Sequence, residues 1–212
     1  QHGRFPRHGE WVVAVNTPRL MAYRDLEPSP WKNGLGVTRE IGFVPSNSLA
    51  AGFRFRLSRA VIDAQAAFSR YPGVRRWLVL ARGGALELRF NGQPTRQLDR
   101  IGDLCAFSGD DVVEGVPLDG PSEDFNLMLA DPMLDAEVLV RPLVGSMILH
   151  QPADAWLLFH LLDGHAHLQG SAVAMAAGDT LWMDPVPADR IAARIDGGGS
   201  ALILVIAARS SS

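Results

Sequence analysis

Apolar positions along the chain fall in short runs broken by Gly, Pro, Asn and Asp, and several runs alternate strictly with polar residues. Phe53-Arg54-Phe55-Arg56-Leu57-Ser58 is the clearest case. A period of two sends its aromatic and aliphatic side chains to one face and its arginines and serine to the other, as in a strand. The pattern predicts strands over Trp11–Val15, Val37–Phe43, Gly52–Ala60, Trp77–Ala81, Ala85–Phe90, Phe125–Ala130, Met147–His150, Trp156–Leu162, Ala166–Gln169 and Ala201–Ala207. Helical spacing is scarce, and one short helix is predicted, at Pro132–Ala136.

Part of this series occurs twice. Leu80-Ala81-Arg82-Gly83-Gly84-Ala85-Leu86, followed by Ile101-Gly102-Asp103-Leu104, is echoed by Leu162-Asp163-Gly164-His165-Ala166-His167, followed by Ala177-Gly178-Asp179-Thr180. Each copy reads as strand, glycine turn, strand, then a Gly-Asp turn into a further strand. Gly83 and Gly164 stand 81 residues apart and Gly102 and Gly178 stand 76 apart, a difference that the Asn91-Gly92-Gln93-Pro94 loop can absorb. Two sheets packed face to face protect strand edges, so the duplication predicts an all-β bicupin: two tandem jelly-roll, cupin-like barrels. Gly83 and Gly164 are expected in corresponding hairpins, and the order of turns resembles that of the cupin superfamily. The barrels are placed at residues 10–140 and 146–209, parted where Arg141-Pro142-Leu143-Val144-Gly145 interrupts the pattern. Sheets are expected to continue across the joint, giving one compact unit.

Composition fits a globular chain: of 212 residues, 47% are apolar and 20% charged. A net charge of −3 supplies no basic field for nucleic acid or an anionic membrane. Cys105 is the single cysteine, set among Leu104, Ala106 and Phe107, which points to a buried thiol in a reducing compartment. No stretch reaches the roughly 18 apolar residues of a membrane span, and residues 1–10 lack the apolar run of a secretory signal. The expected location is cytoplasmic.

The histidines do not form a metal set. His2 and His8 lie near the start and the next is His150, so the body of the first barrel has none. His165 and His167 share one strand face, but they follow Gly164, past the strand from which cupin ligands come, and no Glu follows at a useful distance. No metal and no cofactor are expected.

The most distinctive stretch is Pro30-Trp31-Lys32-Asn33-Gly34-Leu35-Gly36-Val37-Thr38-Arg39-Glu40-Ile41. Its glycines are not those of a phosphate loop, which would end in Gly-Lys-Ser/Thr and open a helix. Together with Phe55-Arg56-Leu57-Ser58-Arg59-Ala60, Phe68-Ser69-Arg70-Tyr71-Pro72-Gly73-Val74-Arg75-Arg76 and Asp124-Phe125-Asn126-Leu127-Met128, it resembles the HutD/Ves family of bacterial bicupins. The resemblance spans roughly residues 20–130 and departs from the family pattern at Leu35, at Phe55 and in the lack of an Arg soon after Met128. It implies a cytoplasmic protein linked to histidine utilisation, acting as a regulator or binding protein with a pocket for a small carboxylate. A second branch of the family is named for stress induction.

The polar face of the Phe53–Ser58 run either meets water or lines a barrel mouth. In the second case Arg56 meets an anion, because a guanidinium offers carboxylate two parallel charge-assisted hydrogen bonds. The resemblance implies that Asn33, Thr38, Ser58, Ser69 and Asn126 converge on the same ligand. Arg75 and Arg76 leave on opposite faces, so one of them can join, and Arg75 is the one assigned. Trp77, on the face of Arg75, reads as core. The expected partner is a small-molecule carboxylate, and a homodimer is compatible with the sequence. Two alternatives stay open: a metal-independent enzyme with Glu40 as base, and a metal-dependent cupin oxygenase.

Overall fold

The computed structural model describes residues 17–92 and 94–209. Sixteen strands follow in order among these residues. They are β1 (Arg19–Met21), β2 (Pro28–Pro30), β3 (Gly36–Pro45), β4 (Phe53–Ile62), β5 (Ala66–Ala67), β6 (Arg75–Gly83), β7 (Leu86–Phe90) and β8 (Arg96–Leu98) in the first half. The rest are β9 (Leu104–Ser108), β10 (Val113–Pro117), β11 (Ser122–Leu129), β12 (Leu134–Gln151), β13 (Trp156–Leu168), β14 (Ala174–Ala176), β15 (Thr180–Met183) and β16 (Arg190–Ala208). A single 3-10 turn, Tyr23–Asp25, interrupts them. Pro132–Ala136 is not helical. Asp131 accepts the Met133 amide through Oδ1 (2.9 Å), and the turn it makes leads directly into β12. The predicted strand Trp11–Val15 lies outside the described residues. No helix among those residues is long and apolar enough to cross a membrane.

All pairing is antiparallel, and the strands form the two-barrel cupin architecture. A six-stranded sheet (β2-β3-β4-β11-β6-β9) faces a four-stranded one (β5-β10-β7-β8) to make the first barrel. The second is built from β1-β15-β13-β16-β12 with β14 beside β13. Its long strands β12, β13 and β16 bend, so that each contributes to both walls. Residues 140–146, expected at the joint, lie inside β12 and pair with β16 throughout.

The duplicated turns have the same hydrogen bonds in both copies. The Gly102 amide donates to the Leu80 carbonyl (2.8 Å) and the Leu80 amide to the Asp103 carbonyl (2.9 Å). The Gly178 amide donates to Leu161 (2.7 Å), and the Leu161 amide to Asp179 (3.0 Å). Gly83 and Gly164 do correspond, but they are not hairpin turns: β6 and β7 belong to different sheets, and Gly164 lies within β13. They are corners at which a strand leaves one wall for the other. Each has positive φ (91° and 86°) and is crossed at close range by another backbone, Pro121 over Gly83 and Gly198 over Gly164. Only glycine meets both demands.

Three of the four apolar clusters among the described residues follow from strand alternation. The outer face of the six-stranded sheet (Phe55, Leu57, Val79, Phe125, Leu127) packs on Leu158, Trp182, Leu202 and Leu204, joining the halves in one core. Each barrel also has its own interior cluster, around Leu78, Leu86 and Leu88 in the first and Leu157, Phe159 and Ile195 in the second. Cys105 is buried in the first of these. β11 is buried along its whole length because both its faces are covered.

A buried polar network also spans the halves. Glu123 takes Arg59 (3.1 Å), Arg82 (3.0 Å) and the Tyr23 hydroxyl (2.8 Å). Arg59 also reaches His160 Nε2 (3.0 Å), whose Nδ1 bonds the Thr180 hydroxyl (2.8 Å). Burial, with Arg59 beside it, holds His160 well below the ordinary imidazole range. The ring is therefore neutral, accepting at Nε2 and donating from Nδ1.

Candidate functional site

Strand register decides which side chains look into the first barrel. Across β6, β11 and β4 the pairing sets Arg76, Met128 and Arg56 in one row, Leu78, Asn126 and Ser58 in the next, and Leu80, Asp124 and Ala60 in a third. Thr38 of β3 extends the third row beside Ala60. A cavity of about 540 Å³ opens over these rows. Ala67, Phe68, Ser69 and Tyr71 wall one side, and the β2–β3 hairpin carrying Trp31, Lys32 and Asn33 closes another. The Trp31 indole N–H donates to Thr38 Oγ1 (2.8 Å), and the Asn33 side chain accepts the Leu35 amide (3.1 Å), which holds the hairpin in shape.

Three polar groups in this cavity are almost fully buried. Arg76 is 6% exposed, Asp124 1% and Asn126 7%, and Arg76 Nε, Asp124 Oδ1 and Asn126 Oδ1 make no hydrogen bond among the described residues. The guanidinium of Arg76 lies over the rings of Phe107 (4.9 Å) and Phe68 (5.6 Å), with one N–H on the Ser69 carbonyl (3.3 Å). It is a cation fixed by aromatic faces, with donors left over. Arg56 differs: it is more exposed, and its Nε donates to Glu40 at 2.8 Å. Buried donors and acceptors normally find partners, so unsatisfied groups of opposite kind in one cavity make it the candidate binding site.

Burial pushes the Asp124 carboxyl up to about 7, against the pull of Arg76 and Arg59 and with a smaller push from Glu123. That folded-state value lies above the roughly 3.9 of an unfolded aspartate, so the protonated carboxyl favours the fold. Its contribution is fully present below about pH 4 and is lost as pH rises through about 7. Asp124→Asn, which does not titrate, is expected to gain melting temperature relative to the wild type from about pH 4 to 7 and to hold that gain above. A difference flat across this range would place the Asp124 titration in the ordinary carboxylate range.

Of the residues assigned from sequence, Asn33, Thr38, Arg56, Ser58, Ser69 and Asn126 all line the cavity. Arg75 does not: it donates to Asp135 (2.7 Å) and to the Leu134 carbonyl, on the face that carries Trp77. Arg76 takes the inward position instead. Both faces of β6 are apolar, Trp77 and Val79 on one and Leu78 and Leu80 on the other, so alternation alone cannot say which face is the barrel interior. Asp124 was missed although its signal was present, since it shares a strand face with Asn126 two residues on. Glu40 is half-exposed, pairs with Arg56 and is not among the lining residues. His165 and His167 are exposed opposite Ala176 and Ala174, and no three His, Cys, Asp or Glu among the described residues come together as metal ligands.

The second barrel provides an internal comparison. Leu157, Phe159 and Leu161 of β13 pair with Val205, Ile203 and Ala201 of β16, as Arg76, Leu78 and Leu80 pair with Met128, Asn126 and Asp124. The irregularity after Leu80–Asp124 recurs after Leu161–Ala201, which confirms the correspondence. Arg76, Asn126 and Asp124 thus match Leu157, Ile203 and Ala201, whose barrel has a packed apolar interior. The frame does not require the polar set.

The family model described as HutD matches residues 23–203. An uncharacterized 21.2 kDa protein in the hutC 3′ region of Pseudomonas putida is 36% identical over 141 residues, 66% of this chain and 72% of that protein. Protein Ves of Escherichia fergusonii is 35% identical over 112 residues, 51% of this chain and 57% of its own length. A solved structure of HutD from Pseudomonas fluorescens SBW25 in a formate condition covers 92% of this chain and 100% of its own, at 25% identity and a TM-score of 0.75.

Proposed function

Since the chain belongs to the HutD family, we propose that its first barrel is a receptor for a small carboxylate metabolite and that the protein acts as a cytoplasmic sensor in amino-acid catabolism, histidine utilisation being the expected setting. The observation that carries this reading is Arg76: a buried guanidinium with an unsatisfied N–H, aimed into a cavity of about 540 Å³. Arg56 and Lys32 add positive charge to the same lining. Arg56 is the weaker anchor of the two arginines because Glu40 already offsets its charge. Aromatic and apolar walls with a few fixed polar groups are what a small-ligand site requires.

A screen of small carboxylates by thermal shift identifies binders, because a ligand of the native state raises apparent stability by mass action. With any binder found, Arg76→Leu is expected to lower affinity at least about tenfold, since a charge-assisted hydrogen bond contributes roughly 1.5–3 kcal/mol. Arg56→Ala should cost less, and Arg56→Lys less again. The leucine variant has a precedent in Leu157 of the second barrel, and its melting curve, recorded alongside, separates lost affinity from lost fold. Calorimetry showing unchanged carboxylate affinity in both Arg76→Leu and Arg56→Ala overturns the reading.

A second reading, metal-independent catalysis, is favoured by Asp124, whose carboxyl at about 7 suits proton transfer near neutral pH. Turnover of a bound carboxylate that is lost in Asp124→Asn would support it.

A further inference from the structure

Building on the carboxylate reading, we propose that the ligand is two-ended: an anionic group held at the Arg56–Arg76 row, and at the other end an N–H donor, amide or ammonium, held by Asp124 and Asn126. The strand register carries the argument. Arg76 and Arg56 flank Met128, whereas Asp124 lies four residues further along β11 with Asn126 between them. At about 3.3 Å per residue the two ends are separated by roughly 13 Å of backbone, which the long arginine side chains shorten within the cavity. The Arg56–Arg76 row and the Asp124–Asn126 acceptors therefore lie at different depths of one cavity, near enough for Arg76 to be the strongest neighbouring charge on Asp124.

The unsatisfied atoms state what each end lacks. Arg76 Nε is a donor without an acceptor, while Asp124 Oδ1 and Asn126 Oδ1 are acceptors without a donor. Among the described residues Asp124 has no ion-pair partner at salt-bridge distance, and its carboxylate is almost fully out of solvent. Once Asp124 is ionised, above about pH 7, a plain anion satisfies Arg76 but leaves Asp124 facing like charge, whereas a ligand with a nitrogen donor at its far end satisfies both. The second barrel, with Ala201 at the place of Asp124, indicates that the carboxylate is not there to support the fold.

The test uses three five-carbon probes of matched length: glutarate (carboxylate at both ends), glutaramate (carboxylate and amide) and 5-aminopentanoate (carboxylate and ammonium). Titration calorimetry is run at about pH 8, where Asp124 is largely ionised. Glutaramate and 5-aminopentanoate are expected to bind the wild type at least about tenfold more tightly than glutarate, the effect of one charge-assisted hydrogen bond. Asp124→Ala should remove that preference while keeping glutarate affinity or raising it, and Arg76→Leu should weaken all three probes. If glutarate binds the wild type as tightly as the nitrogen probes and still loses affinity in Arg76→Leu, the donor end is wrong and the carboxylate receptor stands. If all three bind both Arg76→Leu and Arg56→Ala as tightly as the wild type, the receptor reading fails as well. No saturable binding by any probe at millimolar concentration overturns both.

Discussion

Gly164→Ala and Gly83→Ala are each expected to destabilise the fold by about 2–5 kcal/mol or more. At both corners φ is positive, 86° and 91°, which costs a residue with a side chain about 1–2 kcal/mol. An added methyl would also overlap the Gly198 carbonyl oxygen at the first corner and that of Pro121 at the second. These are backbone atoms, the first within β16 and the second just ahead of β11, so they cannot turn aside as a side-chain tip could, and overpacking adds roughly 1–3 kcal/mol or more. The sum is a large share of the 5–15 kcal/mol typical of a domain. Gly92→Ala is the control: φ is 72° but nothing lies within 4 Å of the added carbon, so only the backbone cost applies. Urea denaturation of the soluble fractions checks the ranking, and a Gly164→Ala variant no less stable than Gly92→Ala would show that the corner relaxes freely.

Removing Glu123 has the second large effect. Its carboxylate is the shared counter-charge of Arg59 and Arg82 and the acceptor of the Tyr23 hydroxyl, and both Glu123 and Arg59 have side chains only 4% exposed. Glu123→Ala leaves the Arg59 guanidinium buried without its ion pair, a situation that typically costs about 3–5 kcal/mol. The double variant Glu123→Leu with Arg59→Met should recover most of the loss, because the expense lies in the orphaned charge and not in the missing bridge. Chemical denaturation at neutral pH reads both. A loss below about 1 kcal/mol in Glu123→Ala, well under what breaking a buried pair costs, would show that Arg59 finds another counter-charge, with Asp124 the nearest candidate by electrostatic influence.

The fold class and the doubling were legible because turn chemistry is local. Gly-Asp turns and alternating runs carry their signal within a few residues, and the HutD/Ves resemblance rested on motifs that all fall in the first barrel. Strand extents were not. β13 was read as two strands because Gly164 looks like a turn from sequence, and a corner glycine and a hairpin glycine both use positive φ. Pro28–Pro30 carries no apolar run and Ala174–Ala176 is alanine-rich, so neither shows a strand pattern, although each pairs with a strand close by in sequence. At the site, the neutral hydrogen bonders and Arg56 are legible from motif and alternation, and Asp124 from its sharing a strand face with Asn126. Arg76 is not separable from Arg75, because choosing between two apolar faces requires knowing which sheet lies opposite.

The two interiors also bear on how such a protein can diverge. A chain built by doubling inherits two copies of one frame, and here the corner glycines and Gly-Asp turns persist in both while the inward residues have parted: arginine, asparagine and aspartate in one, leucine, isoleucine and alanine in the other. The filled copy shares an apolar core with the hollow one and shields its outer wall. Selection for a new ligand can therefore act on a handful of inward positions in the hollow copy, while the turns that specify the fold stay as they are.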